Sequence, residues 1–265
     1  MHDWIVAHEP WLRLAAFGSV LVLMLALEDL WPRRAGPMRR PLRWGANLSM
    51  VVVDVVLVRL LIPLGATGTA IWADVHGFGL LQRLDAPFAV EAVLAFVALD
   101  CVIYWQHRLF HKIPLFWRLH RMHHSDIEFD ATTALRFHPV EILVSMLIKM
   151  ATIVALGAPA IAVILFEIAL NGTAMFNHSN LRLPPALDRA LRWVLVTPDM
   201  HRVHHSVHRR EHDSNYGFNL PWWDHLFGSY NDQPVDGHTT MQIGLPAFRE
   251  DADQRLLPLL AQPLK

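Results

Sequence analysis

The sequence predicts an all-α integral membrane bundle of about four to five spanning or re-entrant helices, with a histidine-rich helical cap on the cytosolic side. Three observations predict it. Of 265 residues, 53% are hydrophobic, and the mean hydropathy of +0.27 is too high for an ordinary soluble domain. Apolar runs near the roughly 20-residue length that crosses a bilayer recur through residues 11–176. The histidines are gathered into spaced groups: His107-x3-His111, His120-x2-His123-His124 and His201-x2-His204-His205.

Composition removes several function classes. A net charge of −1 gives no support to a nucleic-acid partner. The single cysteine, Cys101, excludes disulfides within the chain, CxxC redox motifs and a cysteine-bound iron–sulfur cluster. Ten Trp and thirteen Phe against three Tyr fit interfacial anchoring and bulky packing. The start, MHDWIVAHEPW, lacks the basic region of a cleavable leader.

The elements follow in order. Residues 11–31 form the first span, with Trp11 and Trp31 at its ends and only Arg13, Glu28 and Asp29 interrupting it; Pro32 stops it. Arg33, Arg34, Arg39, Arg40 and Arg43 follow, and basic residues beside a span mark the cytoplasmic side. Residues 48–64 form the second span, where Asp54 and Arg59 pair, snorkel or serve a function inside the bundle. Residues 66–87 read as an external loop with an interfacial helix around 71–81. Residues 88–106 form the third span and run on into His107 and His111.

Asp100 lies seven and eleven residues before those histidines, on their helix face. It either accepts the second ring N–H of a ligand histidine or makes a helix-packing contact. Residues 112–138 are polar and basic and belong to the cap. Residues 139–157 and 158–176 form a hairpin of spans that returns Asn177-His178-Ser179-Asn180 to the side of the other histidines. Residues 187–196 alternate apolar and basic side chains, as an interfacial helix does. The tail after Asn231 is expected on the surface. Three regions result: N-terminal membrane helices over 1–87, a histidine-box catalytic region over 88–230, and a tail over 231–265.

The histidine spacing has a chemical reading. On a helix, i and i+4 face one way, so His107 and His111 reach one metal together. In HxxHH the third and fourth residues after the first lie on either side of it, so one turn can serve two metals. Neutral imidazole suits iron, zinc, copper or nickel. One isolated histidine is more often a satisfied core or surface residue; three spaced groups, two of them nearly identical as LHRMHH and MHRVHH, point to a metal site.

The order HxxxH, HxxHH, HxxHH resembles the fatty acid hydroxylase / sterol desaturase superfamily of membrane diiron oxygenases. HHSDIEFDATTALRFHPVE at 123–141, FNHSN at 176–180, PDMHRVHHS at 198–206 and NYGFNLPWWDHLFGSY at 215–230 extend the resemblance over roughly residues 90–230. The resemblance implies two irons that use dioxygen and two electrons to hydroxylate or desaturate a lipid. It implies His107, His111, His120, His123, His124, His201, His204 and His205 as ligands, His178 as a ninth, and His138 as a tenth or an orienting residue. Asp126, Asp130, Glu141, Asn180 and Asn215 are implied as supports around the ligands, and no side chain beyond the diiron centre is assigned to catalysis. Some relatives carry a second histidine four residues before the NHSN histidine; here that position is Ala174. Zinc is expected as a substitute in purified protein. His208, His212 and His225 read as surface or hydrogen-bonding residues.

A membrane metalloprotease would need HExxH, and Arg follows the first histidine of each box. A divalent-metal binding or transport protein remains the alternative and would place ligands near mid-membrane. The lipid substrate is expected in the bilayer, with Phe, Trp and Leu around 110–119 and 216–227 lining its slot. Electrons are expected from an external donor, a ferredoxin or a cytochrome b5-like carrier with its reductase. A bacterial inner membrane, with the cap in the cytoplasm, is the expected location.

Overall fold

The structure is a computed structural model that describes residues 2–35, 40–84 and 86–265. Arg39, one of the orienting arginines, lies outside the described residues. A short α1 (His2–Ala7) leads into α2 (Glu9–Leu30), α3 (Arg40–Leu61) and α4 (Gly65–Val75). Then come α5 (Phe88–Lys112), α6 (Pro114–His124), α7 (Pro139–Leu156) and α8 (Ala160–Asn177). Shorter helices follow: α9 (Pro185–Leu191), α10 (Pro198–His204), α11 (Arg209–His212), α12 (Trp222–Leu226) and α13 (Leu256–Ala261). Among the described residues there is no β-strand, only the isolated bridges Pro32–Leu181 and Ser206–Ile243.

Five stretches are long and apolar enough to cross a membrane: α2, α3 with α4, α5, α7 and α8. The protein is therefore a helical membrane bundle. At 1.5 Å per residue α5 is about 37 Å long, longer than the roughly 30 Å hydrocarbon core. Its last turns, with His107 and His111, project into the cap. Proline opens α6, α7, α9 and α10, where a missing N–H costs nothing. Gly157 closes α7 at φ +66, and its own backbone sits against Gly79, where any Cβ would collide.

The 66–87 region departs from the expected loop. Its helix begins at Gly65, and Ala66, Ala70 and Ala73 fall on one face and are fully buried against α7 and α8. Small residues let helix backbones approach closely; at eleven residues the helix is too short to read as a span by itself. The core of this half combines Ala66 and Ala70 with Leu99, Ile153, Val163 and Phe166.

The tail also departs from expectation. Met241 and Ile243 bury against Phe129, and Leu259 packs with Met50 and Met122. Gly244, at φ +95, brings its backbone against the Asp126 carbonyl and donates its N–H to His205 O. The tail is thus strapped onto the turns that follow two of the histidine boxes.

Polar side chains join the membrane helices to the cap. Arg43 of α3, fully buried, forks onto Asp126 at 2.6 and 2.8 Å and reaches Asp130 at 3.0 Å. Glu28 of α2 accepts the N–H groups of Ala131 (2.8 Å) and Asn180 (2.6 Å). Arg33 pairs with Asp199, and Arg34 donates to the His238 and Met241 carbonyls. Three of the arginines read as marking the cytoplasmic side therefore hold the cap. Replacing Arg43 by Leu leaves buried Asp130 without its cation and Asp126 with only the more distant Arg136. The expected loss is about 3–5 kcal/mol, measured by chemical unfolding in detergent; a loss below about 1 kcal/mol would contradict this role for Arg43.

Candidate metal centre

Nine histidines meet in the cap in two groups. His107, His111, His120, His124 and His204 form one; His123, His178, His201 and His205 form the other. Within each group one ring nitrogen of every histidine lies within 4.8 Å of the others, and all nine side chains are buried. Helix geometry produces the division. In His120-x2-His123-His124, positions i+3 and i+4 point about 100° apart, so His124 joins His120 and His123 crosses to the second group. The later box divides the same way into the opposite groups: His201 and His205 share the second group and His204 crosses to the first.

The second ring nitrogen of five histidines is tied down. Nδ1 of His107 donates to Tyr216 O (2.8 Å), Nδ1 of His123 to Arg136 O (3.2 Å), Nδ1 of His178 to Ala174 O (2.7 Å) and Nδ1 of His204 to Ser214 O (2.6 Å). Nδ1 of His120 faces Glu141 Oε1 at 2.7 Å. A carbonyl can only accept, so the Nδ1 atoms of His107, His123, His178 and His204 carry the proton and their Nε2 atoms are bare lone pairs; His120 does the same toward an ionised Glu141. Those lone pairs converge. Nε2 of His107 and His120 are 3.1 Å apart, and Nε2 of His123 and His178 are 3.1 Å apart; Nε2 of His201, whose Nδ1 has no partner among the described residues, lies 3.0 Å from Nε2 of His178.

Two lone pairs at that distance repel unless a proton or a cation lies between them. Protons are disfavoured here. Burial pushes His120 down to about 3, and burial with neighbouring imidazoles holds His123, His124, His201, His204 and His205 well below the ordinary value. Nε2 of His124 and His204 and both ring nitrogens of His205 have no partner among the described residues. Adjacent nitrogens about 3 Å apart are what a cation coordinated at about 2.1 Å by each would require. The donor set fits one transition-metal ion per group.

Several expected supports lie elsewhere. His138 joins neither group: its Nδ1 accepts from Val140 N–H at the start of α7, and its Nε2 bonds Leu260 O. Asp100 touches no histidine. It accepts from the Asn219 and Leu220 N–H groups, Asn219 Nδ2 and Trp223 Nε1, and so clamps the 219–223 loop to α5. Asp126 and Asp130 hold Arg43. Asp126 also faces Arg136 at 3.7 Å, the residue whose carbonyl receives His123. Burial raises the Asp126 carboxyl, but Arg43 and Arg136 outweigh it and hold the group below the usual carboxylate range. Asn180 pairs with the Arg34 backbone. Asn215, at φ +51, donates to Met200 O and pins α10 beside His201. Glu141 alone of the expected carboxylates reaches a histidine directly.

Other contributors were not singled out in the sequence. Asp224 accepts Tyr216 N–H and Gly217 N–H at 2.8 Å and so places the carbonyl that receives His107. Asp213 lies 3.6 Å from His111 Nδ1 and binds Lys112. His212, expected as a surface or hydrogen-bonding residue, is buried and stacks on Trp117 at 5.4 Å. His208 is exposed beside Asp236, and His225 stacks on Tyr230.

A cavity of about 740 Å³ runs through the bundle and ends on His107, His120 and Glu141. Its walls come mainly from α2, α3, α4, α7 and α8; of the aromatics expected around 110–119 and 216–227, Phe110 and Phe218 line it. Trp222 and Leu226 face outward.

Residues 92–229, just over half of the chain, match the family described as fatty acid hydroxylase. The chain is 30% identical over 157 residues to the ornithine lipid hydroxylase OlsE of Rhizobium tropici, covering 59% of this chain and 46% of that one. It is 29% identical over 177 residues to the alkylglycerol monooxygenase of Homo sapiens, covering 64% and 37%. It is 26% identical over 199 residues to the very-long-chain aldehyde decarbonylase GL1-5 of Oryza sativa subsp. indica, covering 72% and 29%. The chain spans less than half the length of these curated relatives. No solved structure matches it. With the family match over the region that carries every one of the nine clustered histidines, the chain belongs to the fatty acid hydroxylase family.

Proposed function

We propose that this chain is a membrane oxygenase that holds two irons in its two histidine groups and uses dioxygen and two electrons to hydroxylate or desaturate a lipid. The observation that carries the reading is the convergence of nine buried histidines in two groups, with facing Nε2 atoms at 3.0–3.1 Å. The relatives, named as lipid hydroxylase and monooxygenase, support the reaction class. Bound iron would supply the redox chemistry needed to activate dioxygen against an unactivated C–H bond. Hydroxylation balances as R–H + O2 + 2e⁻ + 2H⁺ → R–OH + H2O.

The chain's own residues do the rest. The backbone carbonyls of Tyr216, Arg136, Ala174 and Ser214 and the Glu141 carboxylate fix ring orientation and tautomer, which raises ligand basicity. Phe137 and Phe129 stack on His123 and His178 and keep water from the ring faces. The cavity delivers an apolar chain to His107 and His120. The catalytic region proposed over 88–230 therefore borrows its substrate walls from the N-terminal helices.

With a single cysteine and no iron–sulfur ligand set, the electrons are assigned to an external carrier, a ferredoxin or a cytochrome b5-like protein with its reductase. The arginines over 33–43 support a cytoplasmic cap. Histidines at the ends of α5 and α8, not midway along them, favour an enzyme over a metal carrier.

The test is iron content and lipid product in membranes from cells expressing variants. His204→Ala is expected to abolish product and lower iron while the protein still inserts; retained activity would sink the ligand assignment. Glu141→Gln is expected to reduce iron retention or rate by about 10–100-fold. His138→Ala is expected to leave iron unchanged, and iron loss there would restore it as a ligand.

A further inference from the structure

The cavity has two chemically different ends. One is the histidine end. The other is ringed by charge: Glu9 and Arg13 of α2, Arg59 of α3, Lys149 of α7 and Glu167 of α8 all line it. Arg13 Nη1 contacts Glu9 Oε1 at 2.6 Å and Glu167 Oε2 at 2.8 Å, and Lys149 Nζ donates to Glu167 Oε1 at 2.7 Å. Charge inside a membrane bundle is expensive and is usually retained for function. Glu9 and Glu167 pair with these cations, but three cations, Arg13, Lys149 and Arg59, stand against two carboxylates, and the cations keep donors to spare. Lys149 has three N–H donors and spends one; Arg13 has five and spends only those on Nη1. Arg59 has no ion-pair partner among the described residues. The surplus is of N–H donors, so this end suits a head group rich in acceptor oxygens.

The distance from the charge to the histidines follows from the helices themselves. Lys149 is eight residues beyond Glu141 on α7, about 12 Å along the axis; Glu167 is eleven residues before His178, about 16 Å. Between them the wall is apolar: Phe17, Val51, Val55, Ile103, Phe110 and Phe137. Asp54 adds one polar point to this wall, with an oxygen that has no partner.

We propose that the substrate is a single-chain amphiphile, a long-chain carboxylate or a lipid with an equivalent anionic head, bound with its head at Arg13, Lys149 and Arg59 and its tail toward the histidines. This deepens the oxygenase reading and rests on it for one consequence: oxidation falls on a carbon about 12–16 Å from the head, not on a carbon beside it. The charged cluster is then a specificity device. A wholly apolar chain leaves the cluster's N–H donors unmet, and buried polar groups left unpaired discriminate strongly.

The experiment uses full-length protein as isolated, in lipid nanodiscs and without reductant, so that no turnover is needed. Palmitate bearing a diazirine at its methyl end, or one beside its carboxylate, is bound and photolysed, and the adducts are mapped. The methyl-end label is expected on Phe110, Phe137 or Phe218, and the head-end label on Leu14, Val58 or Ile62. The reverse pattern, or no saturable adduct, overturns the proposal. Arg13→Gln and Lys149→Met are each expected to weaken palmitate binding by about 10–100-fold, the loss typical of a charge-assisted hydrogen bond. Arg13 is part-exposed at the cavity mouth, so its variant tests the idea even where Lys149→Met fails to fold. Unchanged affinity in Arg13→Gln overturns it. Because these readouts need no iron, a protein that labels as expected but carries no iron refutes the oxygenase reading and leaves the binding site standing.

Discussion

The structure depends on one repulsion. Nine imidazoles are packed into a buried interior with a ring nitrogen of each turned toward its group. Without a cation, such an arrangement opposes folding: the nitrogens have lost water, lack hydrogen-bond donors and crowd one another. Everything around the cluster resists its dispersal. Membrane helices supply His107 and His111 from below and His178 from the end of α8; α6 and α10 supply the remainder from short, proline-started helices too brief to persist alone.

Those short helices are held by polar clamps. Asp224 and Asp100 grip the loop whose carbonyl orients His107; Asn215 grips the backbone beside His201. Arg43 links the membrane helix α3 to the turn after His124 through Asp126. The tail closes the same turn from outside through Gly244. The cap is therefore rigid for a physical reason: each orienting carbonyl is itself fixed by a buried charge or a backbone pair. A centre built this way holds its geometry before the metal arrives, which lowers the cost of binding.

Much of this was legible in the sequence. The long helices α2, α5, α7 and α8 follow from hydropathy and length, and the histidine groups from spacing and family resemblance. The illegible parts share a cause. Helix periodicity places Asp100 on the face of His107, but its partners come from residues 219–223, more than a hundred positions away, and spacing carries no information about them. His138 matches a ligand pattern, yet its ring is committed to the α7 N-terminus and the tail. The small-residue helix α4 hides because its eleven residues are too few to read as a span by themselves. Glu141 was legible because it closes the 123–141 stretch that carries the family resemblance; its partner His120 lies just before that stretch.

The central claim is that two irons occupy the two histidine groups. It is tested most directly by metal analysis with Mössbauer spectroscopy on membranes from cells grown on enriched iron, before any chelating purification. The account predicts about two irons per chain and a coupled diferric signal, one ion for each histidine group. A single metal per chain, or zinc alone in native membranes, would contradict it.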